Sequence, residues 1–128
     1  MSYDILAFDP AAVADADFPE WWEMQSEWSE DHSYDYPEVT TVNLRSFYYE
    51  LIGTYPPLNG PGAPTEEAWH HDVELLSRMS DYSIGTSLVY VAFSWSQART
   101  ARVTFTALAA KHGVAVAMVS DDSSILRP

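Results

Sequence analysis

The stretch that most constrains the fold lies near the C-terminal end, where a period of two gives way to a period of 3.6 and back, with punctuation at each joint. Ser87 to Phe93 (SLVYVAF) is rich in β-branched and aromatic residues and apolar at both parities, as suits a strand covered on two faces. From Trp95 the pattern changes. Ala98, Ala101, Phe105, Leu108 and His112 recur at steps of three and four and mark one stripe of an α-helix. Ser94 and Gln97 have the spacing of a capping box, which predicts a helix starting at about Trp95. Gly113 predicts its end, because the residue after the last turn often needs positive φ, and Lys111 and His112 sit where the helix dipole favours cations. Val114 to Val119 (VAVAMV) reads as a second buried strand. A strand, helix and strand so tightly joined predict a right-handed crossover between parallel strands.

The remainder of the chain is fitted around that unit. Tyr3 to Phe8 (YDILAF) predicts a first strand that Asp9-Pro10 ends, since proline has no amide for a sheet ladder. Pro19 suits the first turn of a helix running to about Glu30. On that helix Trp21, Met24 and Trp28 fall on one side as the inward stripe. Glu20, Glu23, Glu27 and Glu30 line the adjoining side, and Trp22 points away from both. Thr40 or Thr41 can cap a second helix, whose Leu44, Phe47, Tyr48, Leu51, Ile52 and Tyr55 give the strongest amphipathic pattern in the chain. Gly53 and Pro56-Pro57 end it, and the proline and glycine content down to Pro64 makes a loop. Thr65 caps a predicted third helix from Glu66 to about Arg78, with Trp69, Val73 and Leu76 inward, and Asp81 to Gly85 predicts a short strand or turn. The expected fold class is α/β or α+β. It is one domain over residues 1–128, with a small mixed sheet of about four strands, an acidic helical part (1–78) and the β-α-β unit (81–128).

A chain of 128 residues suits one domain, and at that size folding removes roughly two-thirds of the surface of the extended chain. There is no cysteine, so disulfides, thiolate nucleophiles and zinc-thiolate sites are excluded. No run approaches the roughly 18 continuous apolar residues of a membrane span. The N-terminal segment lacks a basic stretch followed by an apolar one, so a cytoplasmic protein is expected, without a membrane partner.

Charge is polarised along the chain. Residues 1–50 hold twelve acids and one base, Arg45, whereas residues 51–128 hold seven acids and five bases. A one-sided negative field attracts a cationic partner and speeds its encounter, and it disfavours nucleic acid, itself an anion. Ser29 to Glu38 (SEDHSYDYPE) continues the acidic run with tyrosines interleaved, and aromatic residues without lysine suit an interface. The candidate partner-binding set is therefore Glu20, Trp22, Glu23, Glu27, Glu30, Asp31, Tyr34, Asp35, Tyr36 and Glu38. The alternative for these residues is a solvated helix face and an ordinary acidic loop.

Catalytic and metal chemistry find little support. His70 and Glu74 are spaced to share one helix face and two metal bonds, but no second cluster supplies a third ligand, so neither metal nor cofactor is expected. Ser87 lacks the second glycine of a nucleophile elbow, and Gly60 and Gly62 lack the spacing and lysine of a phosphate loop. With nineteen acids, some carboxylate pair always looks catalytic, and no catalytic residue is assigned.

Ser2-Tyr3-Asp4, Pro56-Pro57-Leu58-Asn59-Gly60-Pro61 and Asp81 to Gly85 together resemble the SYD start, PPxNGP loop and DYSIG segment of small acidic bacterial proteins of the immunity-protein type. The resemblance covers about half of the chain and implies a non-enzymatic role. It suggests neutralising a cognate basic toxin in the cytosol by blocking its active site. Two rival expectations stand beside it: a small enzyme or ligand-binding domain with a pocket near Asp81 and Tyr82, and an acidic adaptor or homodimer.

Overall fold

In the computed structural model, which describes residues 2–27, 30 and 32–128, the first strand sits at the middle of the sheet. Strand β1 (Ser2–Phe8) pairs antiparallel with β3 (Leu88–Ser94) over its whole length and, on its other side, with β4 (Ala115–Ala117). Strands β2 (Asp81–Gly85) and β5 (Ile125–Leu126) form the two edges, giving the order β2-β3-β1-β4-β5. The architecture is α+β in a single domain. The expected mixed sheet of about four strands is instead five strands whose neighbours are all antiparallel. The reason is the insertion of β1. Because β3 and β4 both run against it, they are parallel to each other, as the crossover predicted, but they do not touch.

Alternation along β1 feeds two cores. Tyr3, Ile5 and Ala7 point to one face, where α2 (Val42–Leu51) and α5 (Ala98–His112) pack through Leu44, Phe47, Ala101 and Phe105. The Phe47 and Phe105 rings meet edge to face at 4.9 Å. Leu6 and Phe8 point to the other face, against α1 (Phe18–Ser26). There Phe8 contacts Phe18 at 5.4 Å and Trp21 at 5.5 Å between ring centres.

Several local expectations change once packing is seen. Helix α1 ends at Ser26, short of Glu30, and its inward stripe is Phe18, Trp21 and Trp22, rotated from the predicted one. Met24 is consequently exposed, and Trp28 lies outside the described residues. Phe18 sets this phase: anchored on Phe8 at i, it brings i+3 and i+4 inward. The single helix predicted over 66–78 is two, α3 (Glu66–His70) and α4 (Val73–Arg78), because the Asp72 carboxylate accepts from the Leu75 amide (3.0 Å) and starts a new helix. That break takes His70 and Glu74 off a common helix and leaves Val73 and Leu76 exposed rather than inward. The Ser94 capping box does not form. A 3₁₀ turn, Trp95–Gln97, precedes α5, and Gln97 bonds Thr100 and Ser77 instead. Thr41 does cap α2 through the Leu44 amide, and Gly113 closes α5 at φ 70°.

Candidate interaction site

The residues expected to bind a partner fall into three groups. On α1 and at its C-cap, Glu20, Glu23 and Glu27 are exposed, and no described side chain donates to their carboxylates. Those carboxylates lie on the outside of the helix because Phe18, Trp21 and Trp22 hold its inner side to the sheet. The helical angle of Trp22 left open cover by another element or exposure, and cover is what is found. Trp22 stacks on Tyr90 of β3, with ring centres 5.4 Å apart and planes at 27°, leaving it half-buried.

The second group belongs to the segment after α1, which is bound to the β2–β3 hairpin. Glu30 Oε1 accepts from the Thr86 amide (2.8 Å) and lies 2.6 Å from a ring nitrogen of His32. The Ile84 amide donates to the Tyr34 carbonyl at 2.7 Å. A Cβ on Gly85 would lie 2.6 Å from Glu30 Oε2, so glycine there leaves room for the carboxylate in its present position. Glu30 therefore holds the loop to the hairpin and is not displayed with its helical neighbours. Asp31 lies outside the described residues.

The third group is displayed by that anchoring. Tyr34 and Tyr36 are 52% and 51% exposed, so neither folds back into the core. Asp35 accepts from Ser33 Oγ at 2.8 Å. Glu38 is exposed and accepts from Tyr49 Oη at 3.1 Å, with an Arg45 nitrogen 3.9 Å away.

Two open clefts meet at Tyr34 and Ser83. One, of about 460 Å³, is lined by Ser33, Tyr34, Asp35, Asn59, Asp81 and Tyr82. The other, of about 300 Å³, is walled by Trp22, Leu88 and Tyr90. The pair thus sets a polar, anionic slot beside an aromatic one. The structure brings Trp22, Tyr34 and Asp35 together here. Tyr36 and Glu38 border neither cleft, and Glu20 borders a separate depression against residues 11–14.

Two phenols flank these clefts. Tyr82 turns its ring into the core and donates to the Tyr55 carbonyl at 2.6 Å, and burial raises its pKa well above the ordinary value. The Tyr82 main chain is therefore what faces the polar slot. Tyr90 donates to the Asp4 carboxylate, and burial first, then that hydrogen bond and the charges of Asp4 and Asp81, raise its pKa. Reading the sequence did not place Tyr90 or Asn59 at the site. The alternation along β3, with Val89 and Val91 facing one core, put Tyr90 on the other side, but apolar residues at both parities masked that signal.

Among the described residues there is no group of three or more His, Asp or Glu side chains arranged to hold a metal ion. No described helix is long and apolar enough to cross a membrane. Compared with protein families, curated proteins and solved structures, the chain finds no match in any of the three.

Proposed function

We propose that this protein is a non-catalytic binding protein whose acidic, aromatic face docks onto a cationic protein surface. In its biological form it would be an immunity protein that neutralises a cognate toxin acting in the cytosol by covering that toxin's active site. The observation that carries this reading is a mismatch of charge. Glu20, Glu23 and Glu27 have no cation among the described residues, while five of the six Lys and Arg side chains lie against other acids. Arg127 holds Asp15 at 2.7 Å, Lys111 holds Glu50 at 2.9 Å and Arg78 holds Glu74 at 3.1 Å. Arg45 leans on Glu38 and Arg102 on Asp121, both at 3.9 Å. Unpaired carboxylates on the same helix as half-exposed Trp22, with Tyr34 bordering the cleft that Trp22 lines, are what a cationic surface with apolar anchors would meet.

The test is co-expression with the polypeptide encoded beside this gene, reading growth and complex formation. Growth inhibition by the neighbour alone, and its relief by this protein, are expected. The triple change Glu20→Lys, Glu23→Lys and Glu27→Lys, on exposed positions, should weaken the complex by about tenfold or more and flatten its salt dependence. Binding that is indifferent to the reversal overturns the reading. The rival of a ligand-binding domain draws on the cleft at Asp81 and Tyr82, which is present, but the Tyr82 hydroxyl faces away from it.

A further inference from the structure

Strand β2 is a sheet edge, and its outer side is covered in two places with a gap between them. At Ser80, just before the strand, the amide donates to the Pro56 carbonyl and the carbonyl accepts from the Leu58 amide, both at 2.9 Å. At Ile84 the amide donates to the Tyr34 carbonyl. In an antiparallel pair alternate residues turn both main-chain groups outward, so the outward set that includes Ile84 also includes Tyr82. Neither the N–H nor the C=O of Tyr82 meets a described partner on that side, because the Tyr34 segment reaches the edge only at Ile84 and the 56–58 segment only at Ser80. The polar slot of about 460 Å³ opens at this gap.

The slot carries two carboxylates, those of Asp35 and Asp81, beside the Asn59 amide and the Ser33 and Ser83 hydroxyls. The outward main-chain groups of Tyr82 lie along it. Asp81 is exposed and has no cation or donor among the described residues. A cationic group that meets two carboxylates and a main-chain carbonyl is served by several N–H donors, and a planar guanidinium carries five in a fixed fork. The half-exposed ring of Tyr34 adds an aromatic surface of the kind on which guanidinium stacks. We infer that this gap is a pocket for an arginine side chain of the protein partner. The adjoining cleft, lined by Trp22, Tyr34, Leu88 and Tyr90, takes an apolar residue next to that arginine. This rests on the proposed docking of a cationic protein and names the side chain that anchors it.

The slot is testable without the partner. Arginine amide is titrated into the isotope-labelled protein and amide shifts are followed by NMR, with lysine amide and the neutral isostere citrulline amide as comparators. Saturating shifts are expected at Ser33–Asp35, Asn59 and Asp81–Ser83. Arginine amide should bind about fivefold or more tightly than lysine amide, and citrulline amide should not bind, as charge-assisted forked contacts require. Asp81→Asn, at an exposed and unpartnered position, and Asp35→Asn should each weaken binding several-fold. Equal affinity for arginine and lysine amides, shifts spread along α1 without saturation, or indifference to both substitutions overturns the inference. The two readings fail separately. If the slot ignores arginine amide while reversal on α1 still abolishes the toxin complex, only the pocket is lost. If arginine amide binds but no complex forms with the neighbouring gene product, the docking role is lost and the pocket stands.

Discussion

The two faces of the sheet are covered differently. On one, α2 and α5 close over β1 and β3, and Leu44, Phe47, Leu51, Val89, Val91 and Phe105 are fully buried. On the other, the nine-residue α1 covers only part of the surface, and the strip running through Asp4, Tyr90, Ser83 and Asp81 is polar and partly or wholly exposed. The closed face needs nothing from outside. The open face ends in clefts and unpaired carboxylates, so the same sheet separates the part that holds the fold from the part available for recognition.

Substitution on each side should separate these roles. Phe105→Ala leaves a cavity among Phe47, Phe93 and α2 and should cost about 3–5 kcal/mol in urea unfolding. Amide shifts of the Trp22–Tyr34–Asp81 region should change little in the folded population. A similar loss of order at both faces would show that the division is artificial. On the open face, Glu30→Ala removes the acceptor for the Thr86 amide and should cost only about 1 kcal/mol. Its main effect should be faster amide exchange in Ser33–Asp35, with the exchange of α5 unchanged, and uniform acceleration would argue that the loop is not a local unit.

The smallest expected effect is alkaline. Tyr82 on the closed face and Tyr90 on the open one both have pKa values raised in the folded protein above the model-compound value of 10.0. Below that value folded and unfolded chains are both protonated and the contribution is fully present. Above it only the unfolded chain loses protons, so stability falls as pH rises toward the folded values. Tyr90→Phe should flatten this decline modestly in unfolding measured from neutral pH to above 10, and an unchanged slope would mean that burial and the Asp4 contact together do not raise the Tyr90 pKa in solution.

Patterns spanning one element were legible in the chain itself. The Leu44–Phe47–Tyr48–Leu51 stripe, the Thr41 cap, the Gly113 stop and the strand-helix-strand order all follow from local periodicity and backbone preference. The exposed carboxylates of α1 and the half-exposed Tyr34 and Tyr36 were legible as well, because charge and the Pro37 break restrict where they can go. Tertiary structure decided what depends on contacts between distant residues. It placed β1 between β3 and β4, rotated α1 by seating Phe18 on Phe8, and turned Glu30 onto Thr86. It also left Tyr82 as a gap in the cover of β2, which requires the loop at Asn59 and the loop at Tyr34 to reach the same edge from opposite directions. Local sequence governs dihedral preference and which side of an element is apolar. Which partner meets that side is settled only when the whole chain competes for the same buried surface.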